Sequence, residues 1–260
     1  MKTKKISVFY KDKLIEKNPS LDNKLKDLLK NHDVKYIEYN KLNKKDLDCQ
    51  DLVITIGGDG TFAKAANLIE NALIIGINSH PETSEGALIS LDINEIEKLS
   101  SILNGDFNIS MIYRVQTKLN EKILDELAIN EVYVGAASQF HSSRYKIKYK
   151  DKEEEQRSSG VIISTGAGSP AWLHSAGGKI FPRDEEKLSF VVREPYFGKK
   201  IFKPTILNGD LLKGEKLTFV SERDFGGIVA IGDSVYDFNK GDIVEIELSN
   251  KPLKTVIPIK

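Results

Sequence analysis

The N-terminal part of the chain alternates between short apolar runs and segments in which apolar residues recur at helical spacing. The segments expected to form strands are Ile6–Tyr10, Val34–Tyr39, Leu52–Ile56 and Leu73–Ile77. Helices are expected on three apolar stripes: Leu21, Leu25, Leu28 and Leu29, with Ser20 as N-cap; Phe62, Ala65, Ala66 and Ile69; and Ile96, Leu99, Ile102 and Leu103. Strands that are apolar throughout are typical of a parallel sheet covered on both faces, so this pattern predicts a doubly wound α/β domain.

The pattern changes at about Ser110. Polar and apolar residues then alternate in short segments such as 144–149, 217–220 and 243–248, and polar turns separate many of them. Alternation of this kind is typical of antiparallel strands that have one face in a core. We therefore expect an α/β domain over residues 1–109 and a β-rich, sandwich-like domain over residues 110–260, with the last residues returning to the first domain.

Composition and charge narrow the classes of partner. The 260 residues include 38 Lys and Arg against 38 Asp and Glu, so no charge excess favours nucleic acid or an anionic membrane. One cysteine, Cys49, and four histidines without ligand spacing argue against a disulfide framework and a structural metal site. No apolar run approaches the about 18 residues of a membrane span, and no signal segment is evident, so we expect a cytoplasmic protein.

Gly57–Thr61 is the first stretch with candidate chemistry. It follows an apolar strand and precedes a helical pattern, which predicts a strand, a glycine turn and a helix N-terminus. Such a terminus favours anions, and glycines permit positive φ and close approach of a ligand to the backbone. A carboxylate beside phosphate is repelled unless it holds a metal ion or takes a proton. Asp59 therefore indicates a place where phosphate meets either Mg²⁺ or a hydroxyl nucleophile.

Three later stretches carry further candidates. The polar segment Asn78–Gly86 leaves a strand at the same expected sheet edge and is either functional or a plain connector. Asn130 and Glu131 are an adjacent amide and carboxylate that suit the vicinal hydroxyls of a ribose, although a local backbone bond is the simpler interpretation. Ser158–Trp172 contains hydroxyls and glycines before a helix, with Trp172 either stacked on a base or buried in the core.

Taken together and in this order, these stretches resemble the NAD kinases. The Gly-Gly-Asp-Gly-Thr loop, the later Asn-Glu pair and the Thr-Gly-Ala-Gly-Ser-x-Ala-Trp segment all match, and the resemblance covers nearly the whole chain. Segments 76–79, 84–86, 157–160 and 192–195 look most like the branch that contains the animal mitochondrial NAD kinases. The family phosphorylates the adenosine ribose 2′-hydroxyl of NAD to give NADP, with ATP as donor and a divalent metal, Mg²⁺.

The resemblance also implies roles for individual residues. Asp59 would be the general base that deprotonates the ribose hydroxyl. Asn130 and Glu131 would bind NAD through hydroxyls of its nicotinamide-side ribose, and Asp233 falls where the family has a hairpin turn near the substrate. The remaining positions that match nucleotide-binding residues are Gly58, Gly60, Thr61, Asn78, Thr165, Gly166, Gly168, Ser169, Ala171, Trp172 and Ser175. The family pattern assigns no protein ligands to the metal, and it implies a homodimer or homotetramer.

The chain departs from the bacterial pattern at three positions. Pro170 removes a hydroxyl and a backbone donor, Ser159 replaces an aspartate, and Ser234 replaces a glycine. The altered Pro170 and Ser159 leave a dinucleotide sensor without activity as one alternative. A lipid kinase of the diacylglycerol or sphingosine type, which uses a similar Gly-Gly-Asp-Gly loop, is the other. Such lipid kinases commonly carry Asn-Glu close after the loop, where this chain has Phe62-Ala63-Lys64. Phosphofructokinases, which have a serine after the loop and a longer architecture, fit less well.

Overall fold

The computed structural model describes residues 3–11, 14–138 and 140–259. The chain divides into two compact units, one of Met1–Met111 with Leu253–Lys260 and one of Ile112–Pro252. The described residues form these strands, in chain order: β1 Lys5–Tyr10, β2 Asp33–Glu38, β3 Leu52–Gly57, β4 Leu73–Asn78, β5 Leu91–Asp92, β6 Phe107–Ile112, β7 Val115–Leu119, β8 Lys122–Ala128, β9 Glu131–Ala136, β10 Ser143–Tyr149, β11 Lys152–Ser158, β12 Gly160–Ser164, β13 Leu188–Arg193, β14 Asn208–Leu211, β15 Lys216–Ser221, β16 Gly227–Ile231, β17 Ser234–Asp237, β18 Ile243–Leu248 and β19 Leu253–Pro258.

Parallel strands form the centre of the sheet in the first unit. The strand order is β2-β1-β3-β4-β19-β6, with β5 paired to β4. Strand β1 runs parallel to β2 and β3, and β4 runs parallel to β3, β5 and β19. All six residues of β3 are buried, as expected for a strand covered on both faces. Because β3 and β4 are parallel neighbours, the segments that follow them leave from the same edge of the sheet.

Among the described residues, four short α-helices accompany this sheet, and 3₁₀ turns lie between the elements. The helices are α1 Leu14–Lys17, α2 Pro19–Leu29, α3 Asp59–Ala66 and α4 Leu99–Asn104. The 3₁₀ turns are Tyr39–Lys41, Lys44–Asp46 and Ile93–Lys98. The third expected helix is thus a 3₁₀ turn that continues into α4. No helix among the described residues combines the length and apolar character needed to cross a bilayer.

Two local predictions at helix and strand ends were wrong. The N-cap of α2 is Asn18 rather than Ser20, because the Asn18 side chain accepts the backbone N–H of Leu21 at 3.1 Å and Pro19 occupies the first helical turn. The second strand, expected at Val34–Tyr39, runs from Asp33 to Glu38, and Tyr39 begins a 3₁₀ turn.

The strands of the second unit that the structure describes form two antiparallel sheets. Their strand orders are β11-β10-β15-β18-β7-β8 and β14-β13-β12-β9-β16-β17. Alternating residues of β10 are buried, and apolar side chains from both sheets, such as Tyr145 and Val161, belong to one core. Two sheets that share a core form a sandwich. The predicted fold class, a parallel α/β layer followed by an antiparallel β-rich part, is confirmed.

Candidate active-site residues

The Gly57–Thr61 stretch joins a buried strand directly to a helix. Strand β3 ends at Gly57, Gly58 is the N-cap of α3, and Asp59 is the first helical residue. The predicted order of strand, turn and helix N-terminus is therefore confirmed.

The glycines of this stretch serve close packing rather than positive φ. A Cβ on Gly57 would lie 2.3 Å from the Thr61 hydroxyl oxygen, and one on Gly58 would lie 3.1 Å from the hydroxyl of Ser84. Gly58 itself has an extended conformation, with φ −95° and ψ −173°. The positive φ that glycine permits is not used at Gly57, Gly58 or Gly60. A Cβ on Gly60 would meet open space.

Asp59 is held in place by the loop that follows β4. Its Oδ1 accepts the backbone N–H of Leu88 at 2.8 Å, and its Oδ2 accepts the backbone N–H of Ala87 at 3.0 Å. Each carboxylate oxygen can accept two hydrogen bonds, so two of the four acceptor positions are used by these amides. The half-buried carboxylate is thus fixed in orientation and can still accept a hydrogen bond from a ligand hydroxyl.

Asn78 organises that loop instead of pointing freely to a ligand. Its side chain is buried, its Oδ1 accepts the backbone N–H of His80 at 3.1 Å, and its Nδ2 donates to the carbonyl of Ser84 at 3.5 Å. Gly86 follows with φ +64°, and a Cβ there would lie 3.1 Å from Asn78 Nδ2. The polar segment is therefore a hydrogen-bonded turn that positions the backbone amides of Ala87 and Leu88 next to the Asp59 carboxylate. A pocket of about 340 Å³ lies within this loop, lined in part by Asn78 and Gly86.

In the second unit, Asn130 and Glu131 lie where β9 begins, beside the end of β12. Ser164 is paired with Glu131, and the carbonyl of Asn130 accepts the backbone N–H of Thr165 at 2.9 Å. The Oε2 atom of Glu131 is buried and has no hydrogen-bond partner among the described residues. Burial raises the pKa of this carboxyl above its ordinary value. A buried polar atom without a partner is costly, and a ligand hydroxyl would satisfy it.

The segment after β12 is shaped by internal hydrogen bonds. The Thr165 hydroxyl donates to the carbonyl of Ile129 and accepts the N–H of Gly168 at 3.2 Å, and the Ser169 hydroxyl donates to the carbonyl of Gly166 at 2.9 Å. Both hydroxyl side chains are fully buried, so they fix the backbone of the segment. A Cβ on Gly166 would lie 1.9 Å from the carbonyl oxygen of Pro182, and one on Gly168 would lie 2.6 Å from the Asn130 backbone.

Trp172 lies on a short, irregular helical segment, Ser169–Leu173. Ala171 inside this segment has non-helical φ and ψ of −88° and −115°. The Trp172 side chain is 37% exposed, so it is not the buried core tryptophan that composition alone favours. Its ring stacks on Tyr133 with 5.3 Å between ring centroids, and the guanidinium carbon of Arg193 lies 5.2 Å from its ring. Ser175, one turn on, donates its hydroxyl to the carbonyl of Ala171 at 3.1 Å.

Asp233 lies in the two-residue turn between β16 and β17. Gly232 supplies the positive φ of +56° that this turn requires, and Ile231 pairs with Ser234 across it. The Ser234 hydroxyl donates to Glu126 Oε1 at 2.6 Å. The serine that replaces the family's glycine at this position therefore has a hydrogen-bond partner. Sequence reasoning did not single out Glu126, Tyr133 or Arg193 as members of these clusters.

Comparison with known proteins finds similarity to one family. Residues 1–107 match the model of the ATP-NAD kinase N-terminal domain. A probable NADH kinase of rice, Oryza sativa, is 29% identical over 80% of this chain and 71% of its own length. An NAD kinase of Caldicellulosiruptor saccharolyticus is 29% identical over 90% of this chain and 86% of its own length. The crystal structure of an NAD kinase from Archaeoglobus fulgidus in complex with ATP has the same fold, with a TM-score of 0.72 and 22% identity over 96% of this chain and 92% of that one. The chain is therefore similar to NAD kinases over most of its length, and it shares their fold.

Proposed function

We propose that this protein transfers a phosphoryl group from ATP to the adenosine ribose 2′-hydroxyl of NAD or NADH, giving NADP or NADPH. The orientation of Asp59 carries the proposal. Two backbone amides hold its carboxylate at the first residue of α3, immediately after a buried parallel strand. Relatives named NAD kinase and probable NADH kinase support the reaction, and their different names leave the redox form of the acceptor open.

Asp59 acts in this proposal as the general base for the ribose hydroxyl. A hydroxyl is a poor nucleophile, so the base has to lie within hydrogen-bond reach of its proton. The amides of Ala87 and Leu88 fix the carboxylate without occupying all its acceptor positions. Phosphoryl transfer depends chiefly on positioning and charge stabilisation, which suits a base held before the substrate arrives.

The donor phosphates are assigned to the N-terminal end of α3. The helix dipole favours negative charge there, and neither Gly58 nor Gly60 has a side chain that would keep a phosphate away from the backbone. Thr61 packs its side chain against Gly57, so its part is to shape the loop.

The acceptor dinucleotide is assigned to Asn130, Glu131 and the Trp172 segment. A ribose hydroxyl would give the buried Oε2 atom of Glu131 the partner that it lacks among the described residues. Trp172 keeps more than a third of its surface exposed and offers a ring edge or face to the dinucleotide. Ser175 and Asp233, both exposed, complete the proposed contacts.

The residues described do not form a protein site for the divalent metal. No cluster of three or more His, Cys, Asp or Glu side chains among them is arranged to hold an ion. Mg²⁺ commonly binds substrate phosphates with few protein ligands, so we assign the metal to the ATP complex. When bound, it would neutralise charge on the transferred phosphate.

The test is NADP or NADPH formation from ATP, Mg²⁺ and NAD or NADH by the native chain and by Asp59→Asn. Because a general base typically contributes about 10²–10⁴-fold, kcat of the variant is expected to fall at least about 100-fold. Asp106→Asn, which changes an exposed carboxylate of the same unit, is the matched control and should keep the native rate.

Each other outcome has a clear meaning. Equal rates for the native chain and Asp59→Asn would remove Asp59 from the role of base. Tight dinucleotide binding with no product from any donor would instead identify a sensor. Phosphorylation of a lipid in place of the dinucleotide would overturn the proposed substrate class.

A further inference from the structure

The second unit contains a pocket that the proposed reaction does not use. Its volume is about 480 Å³, within the range of small-ligand sites. Three guanidinium groups and several aromatic rings dominate its lining. We call it the arginine pocket; it is lined by Phe140, His141, Ser142, Arg144, Arg157, Phe202, Glu222, Arg223, Asp224 and Phe225.

The arginine pocket lies at the opposite end of the central strands from Glu131. Arg157 is three residues before Gly160, the first residue of β12, whereas Glu131 is paired with Ser164 at the other end of that strand. At about 3.3 Å per residue, a five-residue strand separates the two places by roughly 13–16 Å. Within the second unit, the arginine pocket is thus a separate place from Asn130 and Glu131.

Ser142 fixes two of the guanidinium groups. Arg157 donates its Nε–H to the Ser142 hydroxyl at 2.8 Å, and Arg223 donates from Nη1 to the Ser142 carbonyl. Arg223 also donates its Nε–H to the carbonyl of Phe225 at 2.8 Å. A guanidinium has five N–H groups, so each arginine keeps terminal donors beyond these bonds. Two oriented forks of this kind are suited to the oxygens of a phosphate.

Arg157 and Arg223 carry positive charges that no ion pair with a described residue compensates. Arg144 pairs with Glu155, whereas neither Arg157 nor Arg223 forms an ion pair with a described residue. The two carboxylates in the lining are neutralised from outside it: Glu222 lies 3.5 Å from Lys146 and Asp224 lies 3.4 Å from Lys240. An anion in the pocket would therefore meet two positive groups that form no ion pair with a described carboxylate.

Aromatic rings accompany the guanidinium groups. Arg144 lies over Phe202 and Arg223 over Phe225, each with 5.9 Å from the guanidinium carbon to the ring centroid. Phe140 and Phe225 are 84% and 74% exposed, although large apolar rings are normally covered. Rings beside guanidinium groups are suited to a ligand that carries both a planar base and a phosphate.

We propose that the arginine pocket binds a phosphorylated nucleotide, with Arg157 and Arg223 on the phosphate and the rings of Phe202 and Phe225 against the base. The pocket contains two oriented guanidinium groups that form no ion pair with a described residue. Exposed rings lie beside them, and the volume suits one nucleotide. It adds a nucleotide site to those proposed for ATP and for the dinucleotide, and its occupancy does not depend on the phosphorylation of NAD.

A tryptophan placed in the pocket tests the proposal. Trp172 is the only tryptophan of the chain, so Trp172→Phe with Phe225→Trp moves the fluorescent reporter to an exposed position in the lining. ADP should quench this reporter saturably, adenosine should not, and added salt should weaken the effect. Adding Arg157→Gln and Arg223→Gln should weaken ADP binding by about 100-fold or more, since each charge-assisted bond is worth about tenfold or more.

Matched variants separate this site from the dinucleotide site. Lys213→Gln removes an exposed cation outside the lining, and Glu131→Gln alters the proposed dinucleotide site; both should leave the ADP response of the reporter unchanged. A response to adenosine as strong as to ADP, or no loss in the double arginine variant, would overturn the proposal. It would also fail if the reporter responded to protein concentration and not to ADP, because a second copy of the chain would then cover the pocket.

Discussion

At the scale of single residues, Asp59 and Glu131 are two carboxylates in opposite situations. Both oxygens of Asp59 accept backbone N–H groups, so its orientation is complete before any ligand binds. Glu131 has a buried oxygen that no described residue satisfies. The first carboxylate is therefore suited to act on a proton at a fixed point. The second is suited to be completed by a ligand that donates hydroxyl groups.

The burial of Glu131 predicts how its replacement alters stability with pH. Burial raises the pKa of this carboxyl in the folded chain, while the unfolded chain keeps the ordinary value of about 4.3. Between these two values the folded state binds more protons, so Glu131 lowers stability as pH rises through that window. Glu131→Gln removes this loss. The melting temperature of the variant minus that of the native chain should therefore increase as pH rises from 4. The difference should become constant once the pH exceeds the raised pKa of Glu131.

An exposed glutamate provides the control for this measurement. Glu82→Gln removes a carboxylate at the surface of the first unit, and its melting temperature should follow the native chain at every pH. If the melting temperature of Glu131→Gln also stayed at a constant difference from that of the native chain between pH 4 and 8, burial would not raise the pKa of the Glu131 carboxyl.

At the scale of elements, the junction between β3 and α3 is set by the room around its glycines. A Cβ on Gly57 would collide with the buried Thr61 side chain at 2.3 Å, whereas one on Gly60 would meet nothing within 4 Å. Gly57→Ala is expected to lower the free energy of unfolding by about 1–3 kcal/mol through overpacking. Gly60→Ala should stay within about 1 kcal/mol of native, because alanine is the better helix former.

Denaturant unfolding of the two alanine variants compares these positions directly. The change in side-chain size is identical, so the two positions differ in the space around them and in the helix propensity that alanine adds at position 60. Equal losses of unfolding free energy in both variants would show that Thr61 moves aside and that the junction is not tightly packed.

Local elements could be predicted from the sequence, but the contacts that complete the clusters could not. The apolar run of β3 and the glycines after it placed Asp59 at a helix N-terminus, because both signals lie within a few residues. The amides that hold Asp59 belong to Ala87 and Leu88, nearly thirty positions later, and no periodicity relates them. Likewise, the arginine pocket gathers side chains from 140 to 225, which only the pairing of strands brings together.

At the scale of the whole molecule, β19 ties the ends of the chain to one sheet. It pairs in parallel with β4 and lies between β4 and β6, although the entire second unit separates it from both in sequence. Val256, in the middle of β19, is fully buried. The first unit therefore contains an interior strand whose residues follow the whole second unit in the sequence.

This placement predicts that a small change in β19 destabilises the first unit. Val256→Ala removes buried methyl groups from an interior strand and is expected to lower the free energy of unfolding by about 1–3 kcal/mol. Lys254→Ala changes an exposed residue of the same strand and should cost much less. Amide hydrogen exchange would locate the effect, since protection should fall first in β4 and β6. Unchanged protection there in Val256→Ala would contradict an interior role for β19.

The position of β19 also has a consequence for how the protein is made. Ribosomes synthesise about 5–20 residues per second, so the second unit of Ile112–Pro252 occupies roughly 7–28 s of translation. During that interval β4 has left the ribosome while its neighbour β19 does not yet exist. An unpaired strand edge is a template for pairing with other chains. The nascent protein thus carries an unfinished sheet through most of its synthesis, and a ribosome that stalls in the second unit releases a product whose first unit is incomplete.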